Sequence, residues 1–180
     1  MPIIISILRG INVGQRKVLM TDLKSLYEKL GFEDVITYIQ SGNVIFKTDK
    51  KISEQKLAEK IEKVISTQYG FDVPVINRTR EELNRIVLAN PFLKIKGIDQ
   101  SKLHVTFLAT EPDPVNSKQA REFDYPPDKF IISGIEVFLH IPISYAETKL
   151  SNKFFENKLK VSATTRNWNT VTRLAELAVK

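Results

Sequence analysis

The chain has 180 residues, 42% hydrophobic and 27% charged, the balance of an ordinary soluble domain. It has no cysteine and only two histidines, which excludes disulfides, thiolate nucleophiles, sulfur-ligated zinc and a histidine-rich metal centre, and no apolar run approaches the ~20 residues of a membrane span. The net charge is +6, and five of those six charges arise after residue 148, where Lys149, Lys153, Lys158, Lys160, Arg166, Arg173 and Lys180 are offset only by Glu156 and Glu176.

The N-terminus lacks the basic start and long apolar stretch of a secretory leader. With the absence of cysteine, that makes the cytoplasm the expected location. Residues 3–9, nearly all β-branched or leucine, predict a strand buried on both faces and central in its sheet. A polar loop with Gly10 and Gly14 follows. Thr21 is the expected cap of a helix whose apolar residues Leu23, Leu26, Tyr27 and Leu30 recur at helical spacing. Residues 35–40 and 43–48 predict a hairpin with its turn at Ser41 and Gly42. Ser53 starts a second helix, carrying Leu57, Ile61, Val64 and Ile65 and ending near Gly70, and residues 72–77 give a further strand. The order βαββαβ is the ferredoxin-like plan.

Residues 81–89 predict a connecting helix that Pro91 ends, after which the plan repeats. A strand is expected at 102–110, a short helix at 116–122, and a hairpin at 129–133 and 135–141 around Ser133 and Gly134. Helices are expected at 152–159 and 168–179, with only a weak closing strand near 160–163. His104 and His140 lie inside apolar strand-like runs and read as partly buried structural histidines. Ser41, Gly42 and Phe46 fall on Ser133, Gly134 and Phe138 at one constant spacing. The predicted fold is therefore α+β with two ferredoxin-like halves, a duplication with antiparallel sheets and helices on one face of each. The halves are residues 1–78 and 79–180, the second expected to pack on the first.

Three phrases place polar residues between apolar runs: Leu8-Arg9-Gly10-Ile11-Asn12-Val13-Gly14, Gln40-Ser41-Gly42-Asn43-Val44-Ile45-Phe46 and Thr165-Arg166-Asn167-Trp168-Asn169-Thr170-Val171. They resemble the signatures of the bacterial family catalogued as domain of unknown function 1697. The resemblance runs over nearly the whole chain and implies a fold without implying a reaction, because the family has no established activity.

Topology brings two of these phrases together. In a βαββαβ sheet the first and third strands are antiparallel neighbours, so the end of strand one, at Arg9 and Asn12, lies beside the start of strand three, at Gly42 and Asn43. A tight turn there puts Val35, Ile39, Val44 and Phe46 on the helix-covered face and Ile36, Tyr38, Gln40, Asn43, Ile45 and Lys47 on the other. The glycines can simply supply positive φ, and Asn12 and Asn43 can simply bond their own turns. Arg9 asks for more, since a cation ending an apolar central strand must meet water, a carboxylate or an anion. The third phrase reads as a helix start, capped by Thr165 or Asn167, where Arg166 and the helix N-terminus favour an anion. Trp168 reads as core or, less simply, as a stacking platform.

Other chemistries fail on spacing. A dinucleotide-binding loop would need a third glycine where Arg16 stands and a helix opening from the glycines. The phosphate-cradling loop of nucleotide hydrolases is absent, Ser41 has no histidine partner, and the carboxylates form no acid–base pair. No cofactor and no metal is called for. The expected function is binding of a small anionic ligand or substrate by Arg9, Asn12, Gln40, Ser41 and Asn43, with Arg166, Asn167 and Trp168 as further candidates. The alternative is binding of nucleic acid, RNA above all, through the basic C-terminal segment. The aromatic stacking of RNA-recognition modules is not expected, because Asn43 and Ile45 stand where rings would be needed. A membrane partner is not expected.

Overall fold

The apolar N-terminal run forms strand β1 (Ile3–Leu8), with Ile4, Ile5, Ile7 and Leu8 all buried, as a strand flanked on both sides should be. The computed structural model describes residues 1–49 and 51–179; Lys180, counted above among the C-terminal cations, lies outside them. After β1 come helix α1 (Met20–Lys29), β2 (Glu33–Tyr38), β3 (Asn43–Lys47), α2 (Glu54–Tyr69) and β4 (Val75–Thr79). They form an antiparallel sheet in the order β2-β3-β1-β4. Helix α3 (Arg80–Ala89) is followed by β5 (Leu103–Leu108), α4 (Pro114–Ala120), β6 (Lys129–Ser133), β7 (Glu136–His140), α5 (Asn152–Leu159), β8 (Ala163–Asn167) and α6 (Trp168–Leu177). The second sheet repeats the order as β6-β7-β5-β8. Among the described residues the chain thus has two four-stranded antiparallel sheets, six α-helices and two similar halves, the predicted α+β plan.

The backbone divides into two compact units, Met1–Asn84 with Leu174–Lys180, and Arg85–Arg173. In the first, one row of the sheet (Ile4, Leu8, Val44, Phe46, Val75) packs on Leu23, Leu26 and Tyr27 of α1 and on Leu57, Ile61 and Ile65 of α2. Phe32 stacks on Phe46 at 4.4 Å and Tyr27 meets Phe46 edge-on at 5.2 Å, geometries that add to simple area burial. In the second unit Leu108, Val137, Leu139 and Ala163 of the sheet pack on Ala120, Phe155 and Leu159. No helix among the described residues is long and apolar enough to cross a membrane.

The halves repeat a polar device as well as an element order. Ser6 is fully buried and donates to Asn77 Oδ1 at 2.6 Å, and Asn77 Nδ2 donates to Glu54 O at 3.1 Å. The matching strand pair places Thr106 opposite Thr165, with their hydroxyls 2.7 Å apart and Thr165 Oγ1 donating to Asn152 Oδ1 at 2.6 Å. Each set ties a central strand and an edge strand to the first residue of the second helix of its half. Satisfying these buried groups locally keeps their desolvation from destabilising the sheet. The following residues, Arg78 and Arg166, are both buried, and each donates Nη1 to the preceding carbonyl, at 2.9 and 3.0 Å.

Four local expectations need correction. Helix α1 starts at Met20 with Leu19 as its N-cap and no side-chain cap, so Thr21 lies inside it. The first hairpin has a four-residue turn, 39–42, so Ile39 leaves the core face to become 45% exposed and Gln40 lies in the turn rather than on a strand. Thr165 and Arg166 are strand, not helix start: 163–167 is the closing strand, and threonine suits a pleated edge. The hairpin match by constant spacing is also off by one. Leu8 N–H donates to Gly42 O, and its counterpart Leu108 N–H donates to Ile135 O. Gly42 therefore corresponds to Ile135, not Gly134, and Phe46 corresponds to Leu139 rather than Phe138.

His104 is half-buried on β5, its ring stacked on Tyr145 at 4.7 Å. Burial holds its pKa below the usual imidazole range, with the Lys102 carbonyl opposing and the Lys102 cation adding. The unfolded chain therefore binds this proton more readily, so the stability His104 contributes is present above about pH 6.5 and is lost as pH falls below it. The thermal midpoint should drop between about pH 7 and pH 5, and less steeply in His104→Phe; equal slopes would contradict the assignment.

Candidate functional site

Ile7 sits opposite Asn43, and Leu8 N–H donates to Gly42 O at 2.9 Å, so the end of β1 and the start of β3 lie side by side. Arg9 continues the strand by donating its N–H to Pro74 O at 3.0 Å, and its side chain is half-buried. The chain then turns sharply. Gly10, Asn12 and Gly14 have φ of 77°, 55° and 60°, and Asn12 N–H donates to Arg16 O at 2.6 Å, closing a small loop.

One carboxamide holds this loop to the hairpin. Asn12 Oδ1 accepts from Val18 N–H at 2.9 Å, while Nδ2 donates to Gln40 O at 2.7 Å. In the turn itself Ile39 takes φ of 50°, and Gly42 N–H donates to Ile39 O at 3.3 Å. Asn43 is fully buried and donates Nδ2 to Tyr38 O at 2.9 Å and to Ser41 Oγ at 3.3 Å. Gln40 and Ser41 are exposed beside it.

The structure therefore gathers Arg9, Asn12, Gln40, Ser41 and Asn43 at one sheet edge, with the amides of Asn12 and Asn43 engaged in holding the turns. It adds Arg16, which sequence reasoning met only as the residue standing where a nucleotide-binding loop would need glycine. Arg16 Nη1 donates to Asp72 O at 3.0 Å, its guanidinium lies 5.4 Å over the Phe71 ring, and Nη1 is 3.8 Å from where a Cβ on Gly10 would sit. Two arginines thus flank Gly10. A groove of about 490 Å³ in this unit lies elsewhere, along Asp34, Ile36 and Lys47, and there Lys47 is paired with Asp34 at 2.6 Å.

Arg166, Asn167 and Trp168 belong to the other unit. Burial lowers the Arg166 pKa to about 10, with Tyr145 opposing. Asn167 Oδ1 accepts from Thr170 N–H at 2.8 Å, capping α6 as expected, and Trp168 is buried. The basic C-terminal segment is divided: Lys158 Nζ lies 4.3 Å from the Phe123 ring centroid and Lys149 Nζ 5.3 Å from that of Tyr125, while Lys153 and Lys160 are exposed.

The family described as "Protein of unknown function (DUF1697)" matches residues 1–138. Among solved structures the chain is similar to the conserved bacterial protein SP0830 from Streptococcus pneumoniae, with 24% identity and a TM-score of 0.79 over 100% of this chain and 99% of that one, a likeness of fold. No curated protein matches.

Proposed function

The chain belongs to the DUF1697 family of proteins of unknown function, and from that premise we propose that it binds a small anionic ligand where the loop 9–16 meets the turn 39–42. The observation that carries this reading is backbone strain. Asn12 and Ile39, neither of them glycine, hold φ of 55° and 50° in two loops clamped together by the Asn12–Gln40 hydrogen bond. A β-branched residue gains nothing locally from that conformation, which costs about 1–3 kcal/mol and persists only where its surroundings enforce it. Strain of this kind concentrates at ligand clamps. In this reading Arg9 holds the anion, Arg16 adds a second positive charge, and Gln40 and Ser41 orient the rest.

The test is a thermal-shift panel of inorganic phosphate, small carboxylates, sugar phosphates and nucleotides. Any compound that stabilises the protein should bind at least about tenfold more weakly to Arg9→Gln, a loss of about 1.4 kcal/mol, and equally well to Lys153→Gln. A shift that survives Arg9→Gln in a normally folded variant rules the site out.

Binding of single-stranded nucleic acid is the second reading, favoured by the alternation of Lys149, Tyr125, Phe123 and Lys158, since rings and cations are what such strands use. Retention on single-stranded RNA should then weaken steeply with salt, and each phosphate contact removed should lower the log–log slope by about 0.7. Salt-independent retention removes this reading.

A further inference from the structure

The second sheet ends at β6 and β8, and among the described residues β6 has a strand neighbour only in β7. Its register is unbroken: Lys129, Ile131 and Ser133 stand opposite His140, Phe138 and Glu136. Ile135 O accepts from Leu108 N–H on the β5 side. By the alternation of an antiparallel ladder, Glu136, Phe138 and His140 then turn their backbone groups to β6, and Lys129, Ile131 and Ser133 turn theirs back to β7. The N–H and C=O of Phe130 and Ile132 therefore point out of the open edge. Arg121 agrees with this, since its Nη2 donates to Ile132 O at 3.2 Å.

A groove of about 520 Å³ runs along this edge, lined among others by Phe92, Phe123, Tyr125, Phe130 and Ile131. Phe130 packs against the helix-side core, whereas Phe92 lies 5.8 Å from the His140 ring, on the opposite row. Residues from both sheet faces line the groove, so it is the slot a fifth strand would fill. The matching edge of the first sheet, β2, is blunted by a register shift between Glu33 and Ile36, by Asp34 at φ of 50° and by the Lys47–Asp34 ion pair, the usual protection of an open edge. Along β6 the Arg121 contact is the corresponding feature among the described residues.

We infer that a second copy of this chain fills the slot, β6 pairing antiparallel with β6 about a twofold axis through Ile131, so that the two sheets become one of eight strands. The register itself argues for a second copy. Centring the axis on Ile131 sets Phe130 opposite Ile132 twice, so all the outward backbone groups pair and Arg121 gives way to an N–H at Ile132 O. Ile131, 41% exposed, meets its own symmetry mate. Lys129 falls opposite Ser133, with Glu136 next on the same row, about 10 Å away between backbones and within reach of the two long side chains. Apolar meets apolar, and cation faces carboxylate across a small serine.

The full chain should show a concentration-dependent dimer in sedimentation velocity. Ile131→Asp, which sets like charges directly opposite at the axis, should leave it monomeric with unchanged circular dichroism and a thermal midpoint equal to that of the wild-type chain diluted to monomer. Because the chain has no cysteine, a second variant gives an independent answer. The Cα atoms of a non-hydrogen-bonded pair lie about 4.5 Å apart, within disulfide range. Mild oxidation should therefore join Ile131→Cys into a covalent dimer and leave Ile143→Cys, at a 67% exposed position, unjoined. A monomer at every concentration, a dimer that survives Ile131→Asp, or equal cross-linking of the two cysteine variants overturns the inference.

Discussion

Gly42→Ala should destabilise the protein by about 3 kcal/mol, a large part of a typical folding free energy. Two independent costs meet at this residue. Its φ is 91°, a conformation that costs an L-residue about 1–2 kcal/mol. A Cβ there would lie 2.5 Å from Ile11 Cδ1, 2.9 Å from Ile11 Cγ1 and 3.0 Å from Leu8 Cβ. Ile11 is only 2% exposed, and Leu8 Cβ is fixed to the β1 backbone, so neither neighbour can move aside cheaply; overpacking of this kind costs about 1–3 kcal/mol. Gly134→Ala is the control. Its φ is 60°, but nothing lies within 4 Å of the added carbon, so only the conformational cost of about 1–2 kcal/mol remains. Urea denaturation followed by circular dichroism separates the two, and equal losses would show that the contact with Ile11 is not what fixes glycine at this position. Because Gly42 O also accepts from Leu8 N–H, the damage falls on the join between β1 and β3, where the candidate ligand site lies.

The fold was legible wherever burial writes a period into the chain. The run of residues 3–8 announces a central strand, and Leu57, Ile61 and Ile65 announce the inner face of α2. Topology then followed from element order, because βαββαβ leaves few unknotted arrangements. The closing strand β8 was the weak point. Its residues Ala163, Thr164, Thr165, Arg166 and Asn167 carry little apolar signal, and the hydroxyl of Thr165 finds its partners, Thr106 and Asn152, at positions remote in sequence. The hairpins hide the residue-level repeat, because their turns of four and two residues break any constant spacing. It lies instead in Ser6, Asn77 and Arg78 set against Thr106, Thr165 and Arg166, where only the arginine is identical and no single sequence offset aligns all three pairs.

At the candidate site, adjacency was legible and function of the side chains was not. Antiparallel neighbours force Arg9 toward Asn43 whatever the loops do. That Asn12 would reach across to Gln40 O, or that Ile39 would adopt positive φ, runs against local preference, since a β-branched residue is among the last to be expected there. Arg16 was hidden for a similar reason: its partners Phe71 and Asp72 are remote in sequence and meet it only through the sheet. Positions where the tertiary structure overrides local preference are where strained and functional residues are expected to coincide.

Trp168→Ala should cost about 3–5 kcal/mol, the other large effect on stability. In the sequence the indole stood between two roles, core and stacking platform. A stacking platform needs a ring face open to solvent, and Trp168 is 2% exposed. It begins the buried stripe of α6 continued by Val171, Leu174 and Ala175 at helical spacing, and Asn167 anchors that helix start through Thr170 N–H. Removing the ring empties a packed volume that its neighbours cannot refill, whereas Trp168→Phe keeps most of the apolar area and should cost clearly less. Asn167→Ala should cost about 1 kcal/mol through loss of the cap alone. Since Trp168 is the sole tryptophan, its fluorescence reports its surroundings without ambiguity. Native emission should be shifted well to the blue of tryptophan in water, and circular dichroism should carry the denaturation of the alanine variant. Native emission at the solvent-exposed wavelength, together with a near-neutral alanine variant, would place the indole at the surface and return it to the candidates for stacking.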